Sequence, residues 1–96
     1  MAFWHEENLL IAGELVPAEG GRTFETLNPA TGQVLGVAAD ASLADADRAI
    51  QAARTAFDTT DWSTNVPLRL RCLRQLHESL TKHAEEFRAT TVAEVG

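Results

Sequence analysis

The sequence predicts an α+β arrangement: short N-terminal β-hairpins followed by two or three amphipathic helices. Three observations carry this. "LLIAGELV", Leu9 to Val16, sets a glycine between two short apolar runs. "TFETLNPATGQVLGVAAD", Thr23 to Asp40, sets a Pro- and Gly-containing turn between two more. Beyond Asp40 the apolar period lengthens from two residues to 3.6, the change from strand to helix. The expected division is a hairpin region at 1–40 and a helical region at 41–96, together one small domain or a piece of a larger one.

In the first hairpin, Ala12-Gly13 supplies the positive φ of a tight turn between two very short strands. "PAEGGR" then interrupts the chain with one proline and two glycines. The next strands run from Phe24 to Asn28 and from Gln33 to Ala38. Between them Pro29 sets φ, the Asn28 side chain can bond back to the main chain, and Gly32 permits the exit.

Ser42 is the expected cap of the first helix, with Asp45 at the third helical position as a variant of the capping box. Ala46, Ala49, Ile50, Ala53, Ala56 and Phe57 fall within about one third of the circumference. Asp47, Arg48, Gln51 and Thr55 take the other side. A stripe made mostly of alanine buries little apolar area per residue, so it needs a broad partner surface. "DTTDWSTNVP" reads as a loop in which Trp62 folds back as a packing anchor. Pro67 is expected to open the second helix, capped by Asn65 or Ser63. Cys72, Leu73, Leu76 and Leu80 form its apolar face. A break at His83 or Ala84 leads to a final helix ending at Val95, with Glu85 and Glu86 in its first turn and Gly96 as its stop. A glycine stop of this kind is expected to hand over to more protein.

The 96 residues carry a net charge of −6, and residues 1–61 hold 3 basic and 10 acidic groups against 5 and 4 in 62–96. This balance speaks against a nucleic-acid surface, and Arg69, Arg71 and Arg74 are the sole basic cluster. No apolar run is long enough to cross a bilayer, and the acidic "MAFWHEEN" is unlike a secretory signal. One cysteine excludes an internal disulfide and fits a reducing compartment, so a cytoplasmic protein is expected.

No catalytic constellation emerges. Cys72 lies mid-helix on an apolar face, and His77 is turned about 140° from it, so Cys72 reads as a small core hydrophobe. His77 and His83 point to different faces, and His5 belongs to a loose terminus, so they offer no joint metal site. The glycines do not precede a helix N-terminus as a phosphate loop requires. Asp45 and Asp47 read as solvated helix-start charges. Arg69 falls between Leu73 and Leu76 on the helix wheel, which leaves two readings: a snorkelling side chain or a half-buried pair with a carboxylate. Glu94 lies about 20° from Phe87, along the edge of the last helix's apolar side.

Taken together, "IAGELV", "TFETLNPATGQVL", "ADADRAIQAARTAF", Trp62, "RLRCLRQLHESL" and the closing "AEVG" resemble the N-terminal region of the NAD(P)-dependent aldehyde dehydrogenase superfamily, from about Leu9 to Gly96. The resemblance implies that residues 1–96 are the N-terminal portion of the cofactor-binding domain of an α/β aldehyde dehydrogenase fold and, in the full-length enzyme, oxidation of an aldehyde to a carboxylic acid with NAD or NADP. The family's catalytic cysteine, general-base glutamate and cofactor residues lie beyond these positions, and Cys72 does not match the nucleophile. The implied partners are the remainder of the polypeptide and further copies of it in a homo-oligomer. The resemblance also implies a structural sodium or potassium ion held by main-chain oxygens at Thr26 and Leu27 and by Glu94, where Glu replaces the commoner Asp. The competing expectation is an independent small interaction module with a helical binding face.

Overall fold

The computed structural model describes residues 6–96, so Trp4 and His5 lie outside the described residues. Strands β1 (Leu9–Ile11) and β2 (Glu14–Val16) pair antiparallel, Leu9 opposite Val16 and Ile11 opposite Glu14. The two-residue turn between them places both Ala12 (φ 53°) and Gly13 (φ 79°) in the left-handed region, the signature of a type I′ hairpin. A 3-10 turn follows at Glu19–Gly21, which the Pro/Gly break alone did not reveal.

Strands β3 (Thr23–Leu27) and β4 (Val34–Ala39) form the second hairpin. Thr23 to Thr26 pair with Ala39 back to Gly36, then the register slips so that Leu27 faces Val34. Leu35 is thus the extra residue of a β-bulge opposite Thr26 and Leu27.

Helix α1 (Leu43–Thr59) begins as the sequence requires. The Ser42 Oγ accepts the Asp45 amide at 3.1 Å while the Asp45 carboxylate accepts the Ser42 amide at 2.9 Å, completing the capping box. Helix α2 (Val66–Lys82) starts one residue earlier than expected, placing Pro67 second in the helix, where its missing N–H is still not needed. Asn65, not Ser63, is the cap and accepts the Leu68 amide at 2.9 Å. His83 closes α2 through its amide on the Ser79 carbonyl at 3.1 Å and stands before α3 (Ala84–Val95). Apolar residues are one-sided on α1 and α2 but distributed round α3.

These elements lie side by side in a slab of 48 × 34 × 17 Å. The radius of gyration is 16.5 Å, against roughly 13 Å for a folded domain of this length. Accessible surface is 7440 Å² for 10.4 kDa, whereas about 5,400 Å² is usual for a monomer of this mass. Among the described residues the buried apolar residue is Ala18. The expected buried stripe is therefore corrected: Ala46, Ala49, Ile50, Ala53, Ala56 and Phe57 are all exposed. On α2, Leu73, Leu76 and Leu80 are exposed as well, and Cys72 is half-buried. Trp62 is 40% exposed and anchors little. The physical reason is common to all of them. A layer 17 Å thick has no second layer to cover its apolar faces.

Candidate functional site

The corner assigned by resemblance to a cation is built from the β3–β4 turn and the end of α3. The turn is braced from within. The Asn28 amide donates to the Gln33 carbonyl at 2.9 Å, and the Gly32 amide donates to the Asn28 carbonyl at 2.7 Å. Asn28 Oδ1 accepts the Ala30 amide at 2.9 Å, the Asx turn anticipated from its side chain. Just before it, Thr26 is half-buried and its hydroxyl donates to the Gly36 carbonyl at 3.3 Å, while Leu27 is exposed.

The third residue, Glu94, is exposed, two positions before the helix-ending Gly96. Gly96 comes close to the turn: a Cβ built on it would stand 2.9 Å from Pro29 Cγ. The end of α3 and the turn that follows Thr26 and Leu27 therefore share one corner. Glu94 forms no ion pair with a described cation. Among the described residues no three His, Cys, Asp or Glu side chains gather as a metal site.

A second polar cluster departs from expectation at Asp45, which is not solvated, whereas Asp47 is exposed as expected. Asp45 is 1% exposed, and its carboxylate accepts the Glu19 amide at 3.0 Å in addition to the Ser42 amide. The Ser42 hydroxyl approaches Glu19 Oε2 at 2.6 Å and Asp45 Oδ2 at 3.1 Å, and its single proton favours the shorter contact. Arg48 pairs with Asp45 from the next turn. The Glu19 amide, then the Ser42 amide, hold the Asp45 carboxyl below its ordinary value, with Ser42 hydroxyl and Arg48 adding to them and burial acting the other way. The Glu19 amide, the Ser42 amide and the Arg48 guanidinium are three donors, enough to explain why this carboxylate tolerates burial. Its role is structural, tying the 3-10 turn to α1.

Arg69 is half-buried with its Nε enclosed and without a hydrogen-bond partner, and it forms no ion pair with a described carboxylate. Of its two readings, the pair with a carboxylate is absent among the described residues. Thr90 Oγ1 is likewise enclosed and unpartnered. An open groove of about 810 Å³ runs between the β1–β2 turn and α1, lined by Ile11, Ala12 and Gly13 on one side and by Arg48, Ala52 and Thr55 among others on the other. Its lining holds no histidine or cysteine, and nothing there marks its threonine hydroxyls as activated nucleophiles.

No helix among the described residues is long and apolar enough to cross a membrane. The sequence profile of the aldehyde dehydrogenase family matches residues 15–96. A mitochondrial aldehyde dehydrogenase of Leishmania tarentolae is 49% identical over 70 residues, covering 68% of this chain and 14% of the relative. The mitochondrial aldehyde dehydrogenase family 2 member B4 of Arabidopsis thaliana is 42% identical over 80 residues, covering 82% of this chain and 15% of the relative. The solved NAD+ complex of an aldehyde dehydrogenase from Bacillus cereus superposes with a TM-score of 0.78 at 41% identity, over 85% of this chain and 17% of that one. The chain thus spans about one sixth of the length of that solved structure, and the matched part of such relatives is their N-terminal portion. Because sequence and backbone agree over the same stretch, hairpins and helices alike, the chain belongs to the aldehyde dehydrogenase family.

Proposed function

We propose that these residues are the N-terminal scaffold of an NAD- or NADP-dependent enzyme that oxidises an aldehyde to a carboxylic acid. The observation that supports this most is the uncovered apolar surface. The excess of 7440 Å² over the usual area is about 2,000 Å², the scale of one side of a large permanent interface. Leu70, Leu73, Leu76 and Leu80 on α2 and Phe24, Leu27 and Val34 on the second hairpin are all exposed. Such faces suit the remainder of the same polypeptide, which would carry the nucleophile and the cofactor site. Among the described residues no glycine turn leads into a helix N-terminus, so the cofactor's phosphates are assigned to that remainder. Further copies in a homo-oligomer and a cytoplasmic location complete the proposal.

The second part concerns the corner at Thr26, Leu27 and Glu94. We infer that it holds sodium or potassium through the two main-chain oxygens and the Glu94 carboxylate, linking hairpin to helix. The closeness of the end of α3 to the Pro29–Ala30 turn supports this, because that turn follows soon after Thr26 and Leu27 in the chain. A hard monovalent ion is suited to oxygen ligands of this kind.

The test is an aldehyde-dependent NAD(P) reduction assay. The 96-residue chain alone is expected to be silent and the whole polypeptide active. Cys72→Ala in the whole polypeptide is expected to retain turnover, because Cys72 sits in α2 among leucines with no partner base. Activity of the short chain that Cys72→Ala abolishes would overturn the reading. Potassium-dependent melting lost in Glu94→Gln would support the ion.

A further inference from the structure

Gly96 ends α3 with φ at +85°, in the left-handed region, its amide on the Val92 carbonyl at 3.0 Å. An ideal Cβ there would come within 2.9 Å of Pro29 Cγ, 3.3 Å of the Ala30 amide nitrogen and 3.6 Å of Ala30 Cβ. The first neighbour is a ring and the second is main chain, so neither swings aside as a flexible side chain would. The turn cannot yield easily either, since Asn28 holds both the Ala30 and the Gly32 amides. Gly13, Gly21 and Gly32 also have positive φ, yet a Cβ on any of them would meet nothing within 4 Å. A Cβ on Gly20, the remaining glycine of positive φ, would meet only Arg22 Cγ at 3.9 Å, so among these glycines the close approach belongs to Gly96.

We propose that Gly96 is a positioning residue. By lacking a Cβ it lets the end of α3 seat on the Pro29–Ala30 turn. The seat fixes where Glu94 stands relative to Thr26 and Leu27. The seat rests on the contact alone, while the consequence for Glu94 rests on the cation reading given above.

The experiment uses the whole polypeptide in four forms: unaltered, Gly96→Ala, Pro29→Ala and the double variant. Amide hydrogen exchange is followed over residues 23–40, with 9–16 as the internal reference, and melting is measured in sodium, potassium and tetramethylammonium. Gly96→Ala is expected to speed exchange over 23–40 by roughly 5- to 30-fold and to leave 9–16 unchanged. Removing the Pro29 ring should recover much of that loss, leaving the part due to left-handed φ. Strictly additive effects in the double variant would overturn the seat. Should neither Gly96 variant fold, a crystal structure of the unaltered polypeptide decides: Gly96 against Pro29 upholds the seat, and Gly96 out of contact overturns it. Identical melting of the unaltered protein in all three salts would remove the cation reading, while non-additive exchange would still uphold the seat. A potassium effect that survives unchanged in Gly96→Ala would overturn the positioning of Glu94.

Discussion

The Asp45 carboxylate accepts the main-chain amide of Glu19 at 3.0 Å, across 26 residues of sequence. This one bond converts a helix cap into a clasp. Without it the 3-10 turn at Glu19–Gly21 would have no tie to the start of α1 through Asp45.

The clasp gives a pH dependence of known sign. The folded-state pKa of Asp45 lies below its ordinary value of 3.8, chiefly through the Glu19 amide and then the Ser42 amide. A depressed carboxyl stabilises the fold fully above the unfolded-chain value and loses that contribution as pH falls through the folded one. Asp45→Asn should therefore lower the melting temperature of the whole polypeptide at neutral pH. The gap to the unaltered protein should narrow as pH drops below 3.8. A gap that widens in acid would contradict this assignment. Ser42→Ala removes the other half of the box and should cost about 1 kcal/mol in the same measurement.

Ala12 occupies the left-handed region at φ 53°, where an alanine Cβ is strained. Asparagine tolerates this conformation and is favoured before glycine in a type I′ turn. Ala12→Asn should stabilise the polypeptide by about 0.5–1 kcal/mol. Urea unfolding midpoints provide the comparison, and a lower midpoint for the variant would refute the turn assignment.

The isolated 96-residue chain should lack a cooperative tertiary transition. Leu10 is 70% exposed, Val92 64% and Leu73 63%, so a fold that needs apolar burial has little of it here. Dye binding to exposed apolar surface and a featureless near-UV spectrum are the expected signs. A sharp transition at high temperature from a monomer would instead favour the independent interaction module.

Arg69 keeps its Nε enclosed and unpartnered. In the whole polypeptide an oxygen acceptor contributed from outside these residues should satisfy it. Arg69→Met should then cost the whole polypeptide about 1–3 kcal/mol, because the acceptor loses its donor. The same change should leave the isolated chain's helix content nearly unaltered. Equal effects in the two would show that Arg69 acts only within α2.

Local chemistry made much of this structure legible. Asn28, Pro29 and Gly32 specify a turn wherever they occur in that order, and Ala12-Gly13 does so with only two residues. Ser42 and Asp45 announce a helix start because the capping bonds span three residues. The same is true of Asn65 before α2, although the choice between Asn65 and Ser63 needed the observed bond to Leu68. The cation proposed at Thr26, Leu27 and Glu94 rests on resemblance, since a pair of main-chain oxygens leaves no mark on side-chain identity.

By itself the sequence determined these turns and caps, the two one-sided helices and the family, all of which depend on neighbours within a few residues or on the pattern as a whole. Only the tertiary structure decided that Asp45 is buried beneath the Glu19 amide, that Gly96 has no room for a Cβ against Pro29, and that the apolar stripe of α1 is uncovered. Each of these depends on the path of the chain between distant residues. An apolar stripe encodes that a face can be buried, but whether it is covered depends on what the fold brings against it.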